Sequence, residues 1–167
     1  MQVEFNVNIT AKDLFAFFIN NFYRRFTGIL WLLFSLFCLG VSIYTWGDIK
    51  IANSIILIVV ASFYWIINPL MLYSKAKQQV KNNKYFSETL NYVVTERGIQ
   101  VSQAGEQADV SWDEMWKAVR FGRLVVVYVT NIRAFILPVN CIGDEYNNFV
   151  DLALKGLDTR CHLRKKQ

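Results

Sequence analysis

The sequence predicts an α+β membrane protein, a transmembrane helical hairpin joined to one small antiparallel β domain. Three observations predict it. Two uncharged apolar runs, Phe26 to Trp46 and Ile51 to Ser74, are separated only by Gly47-Asp48-Ile49-Lys50. Residues 2–9 alternate strictly between polar and apolar, and short strand patterns with turn signals follow residue 85. The expected organisation is an N-terminal strand and lead-in helix (1–25), the hairpin (26–74, spans 26–46 and 51–74), a basic juxtamembrane linker (75–84), a cytosolic β domain (85–159) and a basic tail (160–167).

In the first segment Val3, Phe5, Val7 and Ile9 face one way and Gln2, Glu4, Asn6 and Asn8 the other, the period of a half-buried strand. A lone strand is unstable, so this one is expected to join the sheet of the C-terminal part. Thr10 reads as an N-cap, with Asp13 near the positive end of a helix running to about Arg25. Leu14, Phe18 and Phe22 form its apolar stripe. That stripe suits a helix lying in the membrane interface or one leading straight into the first span as a continuous helix.

A helix of about 20 residues, rising about 1.5 Å per residue, crosses a hydrocarbon core of about 30 Å. Each apolar run therefore suffices for one crossing, and so short a link permits only an antiparallel return. Gly28, Ser35 and Ser42 recur every seven residues in the first run, as do Ser54, Ala61 and Asn68 in the second. Small residues let membrane helices approach closely, so these six are the expected hairpin seam. Tyr44 and Trp46 at the outer boundary, with Tyr23 and Tyr73 at the inner one, match an aromatic belt. Asn53 and Asn68-Pro69 sit toward the ends of the second run and read as fraying or kinked termini. With no Asp, Glu, Arg, Lys or His at mid-depth, an anchor is favoured over a transporter.

The formal charge of +5 is unevenly distributed. Arg24 and Arg25 precede the first span, Lys75, Lys77, Lys81 and Lys84 follow the second, and residues 85–167 hold ten bases and ten acids. The excess is a positive-inside signal rather than a nucleic-acid footprint, and it places both termini in the cytosol. A cleaved signal peptide is disfavoured, because a Phe-rich leader is a poor n-region and a second span follows at once. Cys38, Cys141 and Cys161 are expected as free thiols, with no metal-like spacing to His162.

Residues 74–84 continue the second span as a basic helix. Strands are expected at 87–95, 99–103, 107–112, 124–129 and 134–139, forming a sheet that curls into a sandwich or barrel. A closing helix follows, with Tyr146, Phe149, Val150, Ala153 and Leu157 on one side, and a disordered tail from Arg160. Trp112 and Trp116 are four apart and would share a face of a helical turn, as a grip for a partner or, for Trp112, as a lid on the sheet's core. Arg120, Arg123 and Arg133 are candidates for an anion-contacting cluster, with Trp116 as a partner contact. Asp113 and Glu114 have no nucleophile or base at useful spacing, and no glycine string cradles a phosphate, so neither an enzyme nor a cofactor is expected.

Several short stretches resemble the bacterial YcxB-like family: the N-terminal strand, Thr10-Ala11-Lys12-Asp13, Thr95-Glu96-Arg97-Gly98-Ile99, Ser111-Trp112-Asp113-Glu114-Met115, Val127-Tyr128-Val129 and Ala134-Phe135-Ile136-Leu137-Pro138. The resemblance implies two spans of the bacterial cytoplasmic (inner) membrane and a domain similar to a pleckstrin-homology (PH) fold. Val139 stands where the family often has a base. The expected role is a non-enzymatic interaction module with membrane lipids, a protein partner or a second copy as partners. An anionic-lipid sensor, or an accessory or immunity subunit acting through its hairpin, is the alternative.

Overall fold

The segments before and after the two apolar helices meet in one sheet. A computed structural model describes residues 1–47, 50–130 and 133–165, apart from the side chains of Lys84 and Ser87. The expected link at 47–50, the turn at 130–133 and the end of the tail therefore lie partly outside the described residues. Strand β1 (Gln2–Val7) runs antiparallel to β2 (Leu90–Thr95), with Val3 opposite Val94 and Phe5 opposite Tyr92. The sheet continues through β3 (Gly98–Gln103) to β4 (Glu106–Ser111). Val3, Phe5 and Val7 are buried and their alternates exposed, because one face of β1 packs on the core and the other meets solvent.

A second sheet has the order β7-β6-β5-β8, from β5 (Lys117–Phe121), β6 (Leu124–Tyr128), β7 (Ala134–Pro138) and β8 (Cys161–His162). The two sheets remain separate and do not close into a barrel, which corrects that alternative. One core unites them: Phe5 stacks on Tyr92 (5.8 Å), Tyr92 meets the edge of Phe135 (5.9 Å), and Phe5 meets Phe149 (6.1 Å). Helix α6 (Tyr146–Leu157), reached through the short α5 (Val139–Ile142), supplies Tyr146, Phe149, Val150, Ala153 and Leu157 to this core. Leu124 to Val127 are all buried, so β6 is covered on both faces and lacks the alternation of a half-exposed strand.

Helix α1 (Ala11–Arg24) opens with a capping box: Thr10 Oγ1 accepts from the Asp13 N–H, and the Asp13 carboxylate accepts from the Thr10 N–H at 3.1 Å. Asp13 also pairs with Arg123 at 3.1 Å, tying α1 to the β5–β6 turn. Asp13→Ala should lower stability by about 1–2 kcal/mol, mostly through the cap, because Arg123 is half exposed. Chemical denaturation beside Arg123→Ala, with the smaller loss expected for the latter, checks this.

The continuous-helix reading of α1 into the first span is overturned. Arg25 is extended (φ −77°, ψ 148°), and α2 (Phe26–Tyr44) starts beyond that corner. The corner needs Gly28, where a Cβ would stand 2.2 Å from the Phe22 carbonyl oxygen. Helix α1 packs antiparallel on α3 (Ile51–Asn82), with Phe15 edge-on to Tyr73 (5.4 Å) and Tyr23 edge-on to Tyr64 (5.6 Å).

Helix α3 has 32 residues, about 48 Å, and runs through Asn68-Pro69 without a break; that pair lies inside the helix rather than at its end. Its basic end carries Ala76 into the domain core at 0% exposure. The short α4 (Lys84–Ser87) then leads to β2. Helices α2 and α3 are long and apolar enough to cross a membrane, and most of their surface is uncovered. Trp31, Phe34, Phe37, Ile56, Phe63 and Ile66 are among the exposed large side chains.

Between these helices Gly28, Ser35, Ser42, Ser54 and Ala61 are buried together with Cys38 and Tyr64. Ser35 Oγ donates to the Ala61 carbonyl (3.1 Å), Tyr64 Oη to the Gly28 carbonyl (2.9 Å), and Trp65 Nε1 to Ser35 Oγ (3.0 Å). Asn68, the sixth seam candidate, is half-buried and lines a small apolar cavity of about 240 Å³ with Phe22, Trp31 and Met71. Ala61→Phe should force α2 and α3 apart at a cost of about 1–3 kcal/mol. A lowered thermal midpoint in detergent, with Val60→Phe on the exposed side as control, is the check.

Candidate functional site: a basic groove beside the apolar hairpin

The side chains of one face of β5 follow from its period of two: Lys117, Val119 and Phe121 point toward α1, and Ala118 and Arg120 point the other way. In register with them on β6 stand Tyr128, Val126 and Leu124. Helix α1 covers the Val126–Leu124 side but leaves a groove of about 740 Å³ against β5 and β8. Asn20, Asn21, Arg24 and Arg25 form one wall, Lys117, Val119, Phe121 and Tyr128 the floor, and Trp116 and His162 the rims.

Among the described residues no carboxylate lines this groove, and none forms an ion pair with Arg24, Arg25 or Lys117. Aromatic faces hold the cations instead. Lys117 Nζ lies 4.4 Å from the Trp116 ring centroid and 5.4 Å from that of Tyr128, and the Arg24 guanidinium lies 5.3 Å from that of Phe121. Burial pushes the Tyr128 phenol above its ordinary pKa, and the positive charges of Arg24 and Arg25 pull it partly back. Both guanidinium groups therefore act on the groove floor.

The residues singled out by sequence are distributed differently from expectation. Trp112 and Trp116 do not share a face: Trp112 starts a 3₁₀ turn and is buried at 3% exposure, whereas Trp116, in extended chain beyond that turn, is 50% exposed. Trp112 Nε1 donates to the Thr95 carbonyl (2.9 Å), and its indole lies against α6, where a Cβ on Gly156 would come within 2.3 Å of the ring. Glu114 caps the same turn by accepting from the Ser111 N–H (3.3 Å), a structural use of that acid.

Arg120, Arg123 and Arg133 form no cluster. Arg120 lies over Tyr146 (5.2 Å) on the opposite face from Lys117, Arg123 is paired with Asp13, and Arg133 stands at the other end of the sheet, beside the Tyr128–Ala134 pair. Lys75, Lys77 and Lys81 are exposed along the end of α3, with Lys75 Nζ 5.8 Å from the Phe18 ring centroid. The Lys84 side chain is outside the described residues. Trp46 and Tyr73 are exposed near the two ends of the apolar surface.

The tail is not disordered up to Lys165. Cys161 and His162 pair in parallel with Ala118 and Val119, Leu163 is buried, and the Arg160 guanidinium donates to the Met115 carbonyl (2.7 Å). Burial pushes the Cys161 thiol above its usual range, with a backbone hydrogen bond from Leu163 partly opposing. His162 thereby reaches the groove, where it also borders a second basic depression with Arg120 and Arg164.

Fold and site together define a class: an α+β protein with a two-helix apolar hairpin built into a two-sheet domain that bears a basic, aromatic-floored groove. The family model described as YcxB-like protein matches residues 94–153, from the end of β2 into α6. The chain is also similar to the uncharacterized protein YcxB of Bacillus subtilis (strain 168), at 22% identity over 110 residues, which is 65% of this chain. The match spans 60% of that relative's length. Both matches point to similarity with the YcxB-like family, the first carried by the segment from the end of β2 into α6. No solved structure matches it.

Proposed function

We propose that the chain is a membrane-anchored, non-enzymatic interaction module that holds a PH-like two-sheet domain against the cytosolic face of the bacterial cytoplasmic membrane. The observation that carries this reading is the continuity of α3, one helix with uncovered apolar surface at its start and Ala76 sealed in the domain core near its end. Exposed apolar area on that scale is stable in lipid and costly in water. Because β1 pairs with β2 across the hairpin, both flanking segments lie on one side of any membrane it enters. Arg24, Arg25 and the lysines after the second span select the cytosolic side. The coupling is rigid, so the domain is held in one orientation toward the lipid. A protein partner or a second copy can then read a fixed surface, with Trp116 exposed on it.

The full chain expressed in bacteria should remain with membranes through an alkaline carbonate wash, and a C-terminal tag should be cleaved by external protease only after lysis. Recovery in the aqueous fraction without detergent, or cleavage of the tag in intact spheroplasts, would overturn the reading. A crosslinker placed at Trp116 should then capture a discrete protein adduct.

A further inference from the structure

We infer that the groove between α1 and β5 is a binding site for a phosphate-bearing anion, namely the headgroup of an anionic membrane lipid. The groove's volume of about 740 Å³ falls within the range of small-molecule sites, roughly 300–1,000 Å³. Three cations that no described carboxylate neutralises face it from two directions, Arg24 and Arg25 from α1 and Lys117 from β5. Guanidinium groups offer paired N–H donors to phosphate oxygens, a lysine supplies a compact charge, and Asn20 and Asn21 add neutral amide donors. The C-terminal end of α1 carries a negative partial charge toward the same space, so these side chains must supply the whole attraction.

Placement selects the lipid as source. Arg25 is followed directly by Phe26, the first residue of the apolar helix α2, so the groove wall stands where headgroups would lie if α2 enters a bilayer. Trp116, Phe121 and Tyr128 give the groove an aromatic floor and rim of the kind that settles at a lipid–water boundary. Lys117, held over Trp116 and Tyr128, has exchanged carboxylate partners for ring faces, which leaves its charge available to an anion. This assignment of the source rests on the membrane reading above; the phosphate chemistry of the groove does not.

The test uses the full-length protein in neutral detergent and native mass spectrometry with added phosphatidylglycerol or phosphatidylcholine. Wild type should retain phosphatidylglycerol in preference to phosphatidylcholine. Lys117→Gln should lose about fivefold in that retention, the worth of one base near an anionic surface. Lys117→Arg should restore it, and Arg120→Gln, on the opposite face of β5, should leave it unchanged. In a second arm inorganic phosphate is titrated while the tryptophan fluorescence of wild type is compared with that of Trp116→Phe. A phosphate response that is lost in Trp116→Phe, without lipid preference, would uphold the anion site and overturn the lipid as its source. Equal retention of both lipids with no phosphate response, or equal losses for Lys117→Gln and Arg120→Gln, would overturn the site itself. Failure of the membrane reading shows separately, as protein that needs no detergent, and the phosphate arm remains readable in that case.

Discussion

Trp112→Ala is expected to cost the domain about 3–5 kcal/mol, the range for deleting a large buried aromatic ring. That ring lies between the sheet end and α6, and Gly156 leaves space for it by having no Cβ. Its Nε1–H also donates to the Thr95 carbonyl, a hydrogen bond that alanine removes. Alanine therefore opens a cavity and removes a hydrogen bond in one step. Urea unfolding of the full chain in mild detergent, followed by near-ultraviolet circular dichroism, measures the loss. Trp116→Ala, at a half-exposed site, should move the midpoint by less than about 0.5 kcal/mol. Equal effects of the two substitutions would show that Trp112 does not close the core.

The second large effect is expected from Ala76→Glu. Ala76 is fully buried where α3 enters the core, so a carboxylate there must be desolvated, protonated or expelled. Each route costs several kcal/mol. Expulsion would separate the basic end of α3 from the sheets while leaving Ile51 to Ser74 intact. The variant should therefore stay membrane-bound yet become sensitive to limited proteolysis near residues 82–89, where the wild type resists. Lys77→Glu, one residue along and exposed, should show no such cleavage. Unchanged protease resistance of Ala76→Glu would contradict the rigid coupling on which the proposed function depends.

Some elements were legible because their sequence pattern and burial pattern have the same cause. Residues 2–9 alternate since β1 is a strand with one wet face, and Thr10-Ala11-Lys12-Asp13 announces a capped helix by local chemistry alone. Strand β5 leaves no such pattern in the sequence. In Lys117-Ala118-Val119-Arg120-Phe121 each face carries one base and at least one apolar residue, so no period of two shows. Trp112 and Trp116 were spaced for a helix, but the chain turns once as a 3₁₀ segment and then extends, which sends the second indole outward. Leu163 and the Cys161–His162 pairing were hidden in a tail whose composition is that of a disordered end.

The groove illustrates the same division. Arg24 and Arg25 read as a topology signal, Lys117 carries no signal of its own, and nothing local relates them. The two apolar helices, the strand–helix start, the closing helix and the sign of charge beside the hairpin are readable from the chain alone, because each depends on periodicity or composition within one stretch. That α1 breaks at Arg25, that α3 reaches the core at Ala76, and that α1 and β5 bring their cations to one groove follow from the folded arrangement. Those outcomes depend on contacts between segments far apart in the chain, which local propensity does not encode.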